Sequence, residues 1–347
     1  MVLLQAVRVL SITMIAFLTA LALEPVVSRF LIRFKTGKHI SRSGESPIYY
    51  SLHQQKEGTP NMAGIIIWGT VIGLAFLFLM LGNLFDGIFN YLNFVNRAET
   101  YLPLTAMFLA GVFGLIDDMR GAMRIGPNGG GIKIRHKLLV YLALGIIGAL
   151  WFFFRLDWNV LAIPFFGPVA IGWFYIPYFV FIIVASAFST NETDGLDGLA
   201  GGVVLFAFIA LTVVAFALGR YSLAVFGGAT IGALLAFLWF NIHPAKFFMG
   251  DTGSMALGVT MGVIALLTNT SLLLPLFAPL LVIESLSVII QLASKRFRGK
   301  KIFLSTPIHN HFRALGWPET RVVMRFWIIS ALAAVLGLVI FFLNQYL

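Results

Sequence analysis

Two aspartates stand side by side in Phe113-Gly114-Leu115-Ile116-Asp117-Asp118, at the end of an apolar run in a chain that otherwise keeps charge out of its hydrophobic segments. Adjacent carboxylates at a membrane boundary are costly, and the cost is tolerable where a divalent cation and a phosphate-bearing substrate meet. A helix ending in solvated acids would carry the same pair, so its company decides. Asp251 lies in Phe247-Phe248-Met249-Gly250-Asp251-Thr252-Gly253, where flanking glycines let backbone approach a ligand closely. Asp117, Asp118 and Asp251 thus form three acids at span ends without paired bases, the makings of one metal-phosphate site. Phe247 and Phe248 could stack on a flat ring or anchor in lipid.

Other groups fall on the same side of the chain. In Asn191-Glu192-Thr193-Asp194-Gly195-Leu196-Asp197, a helical turn would put Asp194 and Asp197 on one face toward a common ligand; the alternative is a solvated turn broken by glycine. Lys56 precedes an apolar segment that Thr59 can cap and Pro60 can open, and a lysine beside a helix N-terminus is a natural phosphate contact. The run Gly126-Pro127-Asn128-Gly129-Gly130-Gly131 lacks the lysine-serine ending of a nucleotide cradle and reads as a mobile loop. Lys133, Arg135, His136 and Lys137 after it suit either a polyanionic substrate or a cytoplasmic loop. His309, Asn310 and His311 place two imidazoles among many aspartates, which fits ligand-binding or proton-handling groups beside an oxygen-ligated cation better than a transition-metal pair. Glu284, inside an apolar segment near Gln291, is either a functional acid or a helix-helix hydrogen bond.

These residues must be held by a membrane protein. Of 347 residues 59% are hydrophobic and 11% charged, and the mean hydropathy is +0.94, values outside the range of water-soluble domains. Ten apolar segments of spanning length lie near 9–32, 62–82, 102–116, 138–154, 172–189, 201–219, 222–240, 255–268, 271–294 and 323–346. The expected fold is therefore all-α and polytopic, one membrane domain over 1–347. Its cytoplasmic loops are expected near 33–61, 117–137, 190–200, 241–254 and 295–322. If the spans alternate, Arg8, Arg97, Arg155 and Arg220 share one face and the other twenty lysines and arginines share the opposite face. By the positive-inside rule the rich face is cytoplasmic and both termini lie outside. The net charge of +10 then matches anionic lipid, not nucleic acid. Ala20-Leu21-Ala22 superficially resembles a leader cleavage site, but the apolar run continues to Ile32 and is expected to be a retained first helix. With no cysteine, disulfides and thiolate metal sites are excluded.

As a set, the Asp117-Asp118 pair, Asn191-x-Thr193-Asp194-Gly195-Leu196-Asp197-Gly198, Pro244-Ala245-Lys246-x-Phe248-Met249-Gly250-Asp251 and Thr306-Pro307-Ile308-His309-x-His311 resemble the polyprenyl-phosphate N-acetylhexosamine-1-phosphate transferases. His53-x-x-Lys56-x-Gly58-Thr59-Pro60 and the segment Thr306 to Glu319 narrow the resemblance to the phospho-N-acetylmuramoyl-pentapeptide transferases. It spans about residues 50 to 320. The resemblance implies ten helices, a cytoplasmic active-site cleft in the bacterial inner membrane, a homodimer and Mg²⁺. It also implies transfer of phospho-MurNAc-pentapeptide from UDP-MurNAc-pentapeptide to undecaprenyl phosphate, giving lipid I and UMP for peptidoglycan. On this reading Asp117, Asp118, Asp251 and His309 are catalytic, and Asp251, Asp117, Asp118 and Asn191 hold the metal. Asp117 is either a base toward the lipid phosphate or a second metal contact, and the attack is either direct or through a phospho-aspartate. Lys56, Thr59, Lys137, Asn191, Asp194, Asp197, Phe248, Gly250, Asn310 and His311 bind substrate. Three positions depart from the family pattern: Gly121 stands where a lysine is usual, Asn310 where a histidine is usual and Arg313 where an acid is usual. A sister GlcNAc-1-phosphate transferase would share the aspartates but not the Thr306 to His311 segment. A proton-coupled transporter would need ionisable groups nearer mid-membrane than these.

Overall fold

The computed structural model describes residues 2–33, 37, 51, 54–97, 99–125 and 131–346; His53 and the glycine run 126–130 lie outside them. The long helices are α1 (Val2–Arg33), α2 (Ile65–Leu84), α3 (Tyr101–Ala122), α4 (Ile134–Leu150), α5 (Tyr175–Thr193), α6 (Leu199–Ala217), α7 (Tyr221–Asn241) and α8 (Gly250–Leu267). They are followed by α9 (Leu274–Phe277), α10 (Pro279–Arg298), α11 (Ile308–Ala314) and α12 (Glu319–Tyr346). Nine helices among the described residues are long and apolar enough to cross a membrane, or ten if the bent pair 271–298 is one span. That is nine or ten against the expected ten, with one change. The segment 271–294 is not a straight span but bends by 89° at Ala278, ahead of Pro279. Ala278 leaves helical geometry there, at φ −137° and ψ 56°, as proline disfavours the α region for the residue before it. The one sheet among the described residues is a small hairpin, β1 (Val160–Ile163) with β2 (Gly167–Ala170), which hydropathy did not mark.

α8 is the axis of the bundle. Its most apolar window is 94% buried, against 22% for α1 and for the α4 span, whose leucines, isoleucines and phenylalanines face outward as lipid-contacting surface does. Small residues let neighbours close on it. A Cβ at Gly114 of α3 would collide with the backbone of Asp251, so glycine there is what brings the Asp117-Asp118 turn against the start of α8.

Helix boundaries differ from the hydropathy reading where charge is buried. α3 runs on through Asp117 and Asp118 to Ala122, and α4 starts at Ile134, so Lys137 sits on a helix and not in a loop. α8 starts at Gly250, not near 255, and carries Asp251 in its first turn. Hydropathy ends a segment at its first charges, but a helix continues while those charges find partners. The expected cap at Thr59 and Pro60 is not formed: α2 begins at Ile65 behind Gly64. The segment 60–64 is instead tied to the one before α8 through Phe248 N–H to the Pro60 carbonyl (2.8 Å), Ala63 N–H to the Phe248 carbonyl (3.0 Å) and Gly64 N–H to the Met249 carbonyl (3.0 Å).

Candidate active site

The carboxylates gather at one end of the bundle. Asp117 and Asp118 are consecutive on α3, about 100° apart around its axis, and therefore reach different partners. Asp117 Oδ2 lies 2.6 Å from Lys137 Nζ, and its Oδ1 accepts the Ile132 N–H at 2.5 Å. Lys137 also contacts Asp251, and Asp251 Oδ1 takes the Asn191 side-chain amide at 2.6 Å. The expectation of acids without paired bases is corrected here. One ammonium group from α4 bridges acids of α3 and α8, a pairing invisible along the sequence because the three helices meet only in the folded bundle.

Asp118 does other work. Its Oδ2 accepts both the backbone N–H (2.8 Å) and hydroxyl (2.7 Å) of Thr252, and Oδ1 accepts the Asn61 amide at 2.9 Å. The buried Asp118 carboxylate, set by α3 against the first turn of α8, satisfies an unpaired helix N–H and favours the helix dipole. Gly250, at φ 69°, turns the chain into α8 where a Cβ would strike Asp118 and Asn61. Its N–H is taken by Asp194 Oδ2 at 3.0 Å.

Asp194 and Asp197 do not share the helical face that the helical-turn reading expected. Residues 194–198 form a turn between α5 and α6, so the two side chains part. Asp197 turns to Lys56, whose Nζ is 2.6 Å from its Oδ1 and also contacts Glu319. Asp197 Oδ2 meets His243 Nδ1 at 2.9 Å and the Ala245 N–H at 3.1 Å. The Asp197 N–H donates to Glu319 Oε1 at 2.7 Å, and Glu319 Oε2 accepts from Arg313 at 2.9 Å. Burial alone would push the Asp197 carboxyl up, but Lys56, the Ala245 N–H and His243 outweigh it and hold it below the usual carboxylate range. Lys56, Thr59, Asp197, Phe248, Trp317 and Glu319 are among the residues lining a cavity of about 720 Å³ beside this cluster. Lys56 also lies 5.7 Å from the centre of the Phe248 ring. Phe248 thus borders the cavity with Lys56 over its ring, whereas Phe247 packs inward on Phe237 and Phe240 at 5.7 and 5.9 Å.

His309 is 1% exposed, with Nδ1 at 3.1 Å from Glu284 Oε2 and its ring against Gly195. Glu284 thus joins α10 to α11, while Gln291 bonds the backbone of Ile302 and Phe303 instead of Glu284. Asn310 is fully buried. His311 accepts the Leu304 N–H at 3.2 Å, whereas His309 is held by Glu284, so the two imidazoles have different partners.

Two groups among the described residues could hold a cation. Asp197, His243 and Glu319 bring ligand atoms within 4.8 Å of one another, with the Lys56 ammonium against two of them. Asp117 and Asp251 likewise turn carboxylate oxygens, hard donors suited to Mg²⁺, onto a single cation, the Lys137 ammonium, while Asn191 donates its side-chain amide to Asp251. Asn61, Thr252, His243 and Glu319 were not singled out from sequence, although each lay in or beside a signalled stretch: Thr252 next to Asp251 and Glu319 at the end of the Thr306 to Glu319 segment.

The model of glycosyl transferase family 4 matches residues 100–269, the stretch from α3 through α8 that carries the carboxylate centre. A phospho-N-acetylmuramoyl-pentapeptide-transferase of Anoxybacillus flavithermus is 37% identical over 329 residues, 94% of this chain and 95% of that protein. Those of Geobacillus thermodenitrificans (38% over 329 residues, with the same coverage) and Halalkalibacterium halodurans (36% over 337 residues, 95% of this chain and 97% of that protein) are similarly close. With likeness of this degree running through every helix that builds the site, the chain belongs to the phospho-N-acetylmuramoyl-pentapeptide-transferase family.

Proposed function

We propose that the chain transfers phospho-MurNAc-pentapeptide from UDP-MurNAc-pentapeptide to undecaprenyl phosphate, forming lipid I and UMP at the cytoplasmic face of the bacterial inner membrane. The observation that carries this is the Asp117-Lys137-Asp251-Asn191 centre, set at the end of apolar spans, together with a cavity at the Asp197 cluster that is large enough for a nucleotide. An oxygen of the lipid phosphate attacks the sugar-side phosphorus, a new P–O bond forms, and the P–O bond to UMP breaks. Donor and acceptor are both anions, so positioning and charge compensation dominate the barrier. Asp117, Asp251 and Asn191 are the residues that would hold Mg²⁺, which when bound supplies positive charge toward the phosphates.

Lys137 contributes a second positive charge at the same place. Asp118 keeps the start of α8, and with it Asp251, in position. The acceptor phosphate is already largely dianionic at neutral pH, so little is asked of a base. Both oxygens of Asp117 and both of Asp118 are engaged by protein donors, which favours direct displacement over a phospho-aspartate. Phe248, Lys56 and Asp197 border the cavity and are assigned to the nucleotide, and His309, steadied by Glu284, to the donor side.

The distribution of basic residues supports a cytoplasmic site and outward termini, and the family resemblance supports a homodimer in one membrane domain. The test is to give purified protein Mg²⁺, a polyprenyl phosphate and, in separate reactions, UDP-MurNAc-pentapeptide or UDP-GlcNAc. UMP and lipid-linked product are expected with the first donor. Turnover of UDP-GlcNAc alone would assign the chain the sister activity.

A further inference from the structure

Three helices that carry groups of the charged end meet again at the opposite end of the bundle. The last residue of α7, Asn241, accepts the Gly198 N–H next to Asp197 at 3.0 Å, α8 begins at Gly250 with Asp251, and α12 begins with Glu319. The approach to α7, the turn after α8 and the last turn of α12 line, with the β1–β2 hairpin, a cavity of about 370 Å³. The 18 residues of α8 set it about 27 Å from Asp251 at 1.5 Å per residue. On the topology proposed above it faces outward.

The lining is rich in donors and holds no acid among the described residues. Arg220, immediately before α7, is half-buried and lies 5.6 Å from the centre of the Trp158 ring. Its guanidinium has no hydrogen-bond or ion-pair partner among the described residues. Glu99 is the acid whose charge reaches it, and Glu99 Oε2 already accepts the Leu223 N–H at 3.1 Å. Two asparagines add oriented amides. Asn269 Oδ1 accepts the Ala162 N–H at 3.1 Å, and Asn344 Oδ1 accepts the Phe165 N–H at 2.6 Å. A backbone N–H can be taken only by the amide oxygen, so each bond fixes the amide nitrogen as the end left over. Neither amide nitrogen has a partner among the described residues.

We propose that this cavity is a second ligand site, separate from the transfer centre, that takes a phosphate group, with Arg220 supplying the charge and Asn269 and Asn344 donating to its oxygens. A planar guanidinium flanked by neutral donors matches the several oxygens of a phosphate, and a lining without a carboxylate offers a cation no opposite charge. Leu218 and Leu272, also in the lining, are exposed, which suits a phosphate carried by a lipid; a soluble phosphate would use the same donors.

The test is calorimetric titration of the detergent-purified full chain with inorganic phosphate, with dioctanoyl phosphatidylglycerol and with dioctanoylglycerol, which lacks the phosphate. Binding of both phosphates would assign the site to the headgroup alone, and binding of the lipid form only would assign it to a phospholipid. Arg220→Gln should weaken that binding about ten- to a hundredfold. Because Arg220 also packs on Trp158, Asn269→Asp and Asn344→Asp carry the decisive arm. Each keeps the oxygen that accepts the hairpin N–H and replaces the amide nitrogen by a charged oxygen, and aspartate tolerates the left-handed backbone of Asn269, at φ 53°. Both variants should melt as the parent does and bind the phosphate at least about tenfold more weakly. Arg97→Gln, which removes a cation at the same end of the bundle but outside this cavity, should bind like the parent. No binding by the parent, parent-like binding in both aspartate variants, an equal loss in Arg97→Gln, or dioctanoylglycerol binding as tightly as phosphatidylglycerol would overturn the proposal.

Discussion

Replacing Lys137 with glutamine removes the ammonium group that touches both Asp117 and Asp251. The side chains of Lys137, Asp117 and Asp251 are 16%, 4% and 16% exposed, so water does little to screen what is left behind. Removing one partner of a buried pair costs about 3–5 kcal/mol because the remaining charge is uncompensated, and here two carboxylates are left facing each other. Part of that cost falls on stability, and part on the transition state, where loss of one aligned charge contact slows turnover by about a hundred- to a thousandfold.

The same geometry gives a sharper expectation. The ammonium lies between the carboxylates that would hold Mg²⁺, so removing it frees them. Lys137→Gln should combine a kcat at least about a hundredfold lower with a lower half-saturating Mg²⁺ concentration. The assay is the initial rate of UMP release at saturating donor and acceptor, titrated with Mg²⁺. A normal kcat would remove Lys137 from the centre. A low kcat with an unchanged or raised Mg²⁺ requirement would show that ammonium and metal do not share Asp117 and Asp251.

Asp117→Asn and Asp251→Asn should each cut kcat by about a hundredfold or more with little change in thermal midpoint, whereas Asp118→Asn should lower both, because its oxygens hold the first turn of α8; equal melting curves for all three variants would contradict the division. The Asp197 carboxyl is held below its usual range, so its contribution to stability is complete above the unfolded value near 3.9 and is lost as pH falls through the lowered folded value. Asp197→Asn should therefore melt earlier than the parent at pH 7, with the gap closing at the acid end of a pH series of thermal melts; a gap independent of pH would refute the ion-pair origin. In the cysteine-free chain, Asn90→Cys should react with an impermeant thiol reagent added to intact cells and Asn128→Cys should not. Labelling at 128 would reverse the topology.

Much of the site was legible along the chain because membrane burial makes charge conspicuous. In a sequence that is 59% hydrophobic, an acid at the end of a span stands out, and Asp117, Asp118, Asp194 and Asp251 could be named before any coordinates. Hydropathy also located the spans, since a helix satisfies its own backbone in lipid and needs only length and apolarity to do so. It could not find the ends of those spans, because α3, α4 and α8 extend through charges that are neutralised by one another in three dimensions. The bend before α10 escaped it for a related reason: an apolar run is equally apolar straight or broken.

What the amino-acid sequence determined alone was the class of molecule, the number of crossings and the inventory of reactive groups, all properties of local composition and period. Which acid faces which base was decided only by the tertiary structure. Asp117 and Asp118 are neighbours in the chain, yet the helical rotation between them sends one to Lys137 and the other to Thr252. Asp194 and Asp197, three residues apart, serve different clusters because a turn replaces the helix expected there. Lys56 and Glu319 lie far apart in sequence and meet only because the loops before α2 and α12 close over the same turn. Pairing of this kind depends on the direction in which packed helices project their side chains, and no pattern along one strand of sequence encodes that direction by itself.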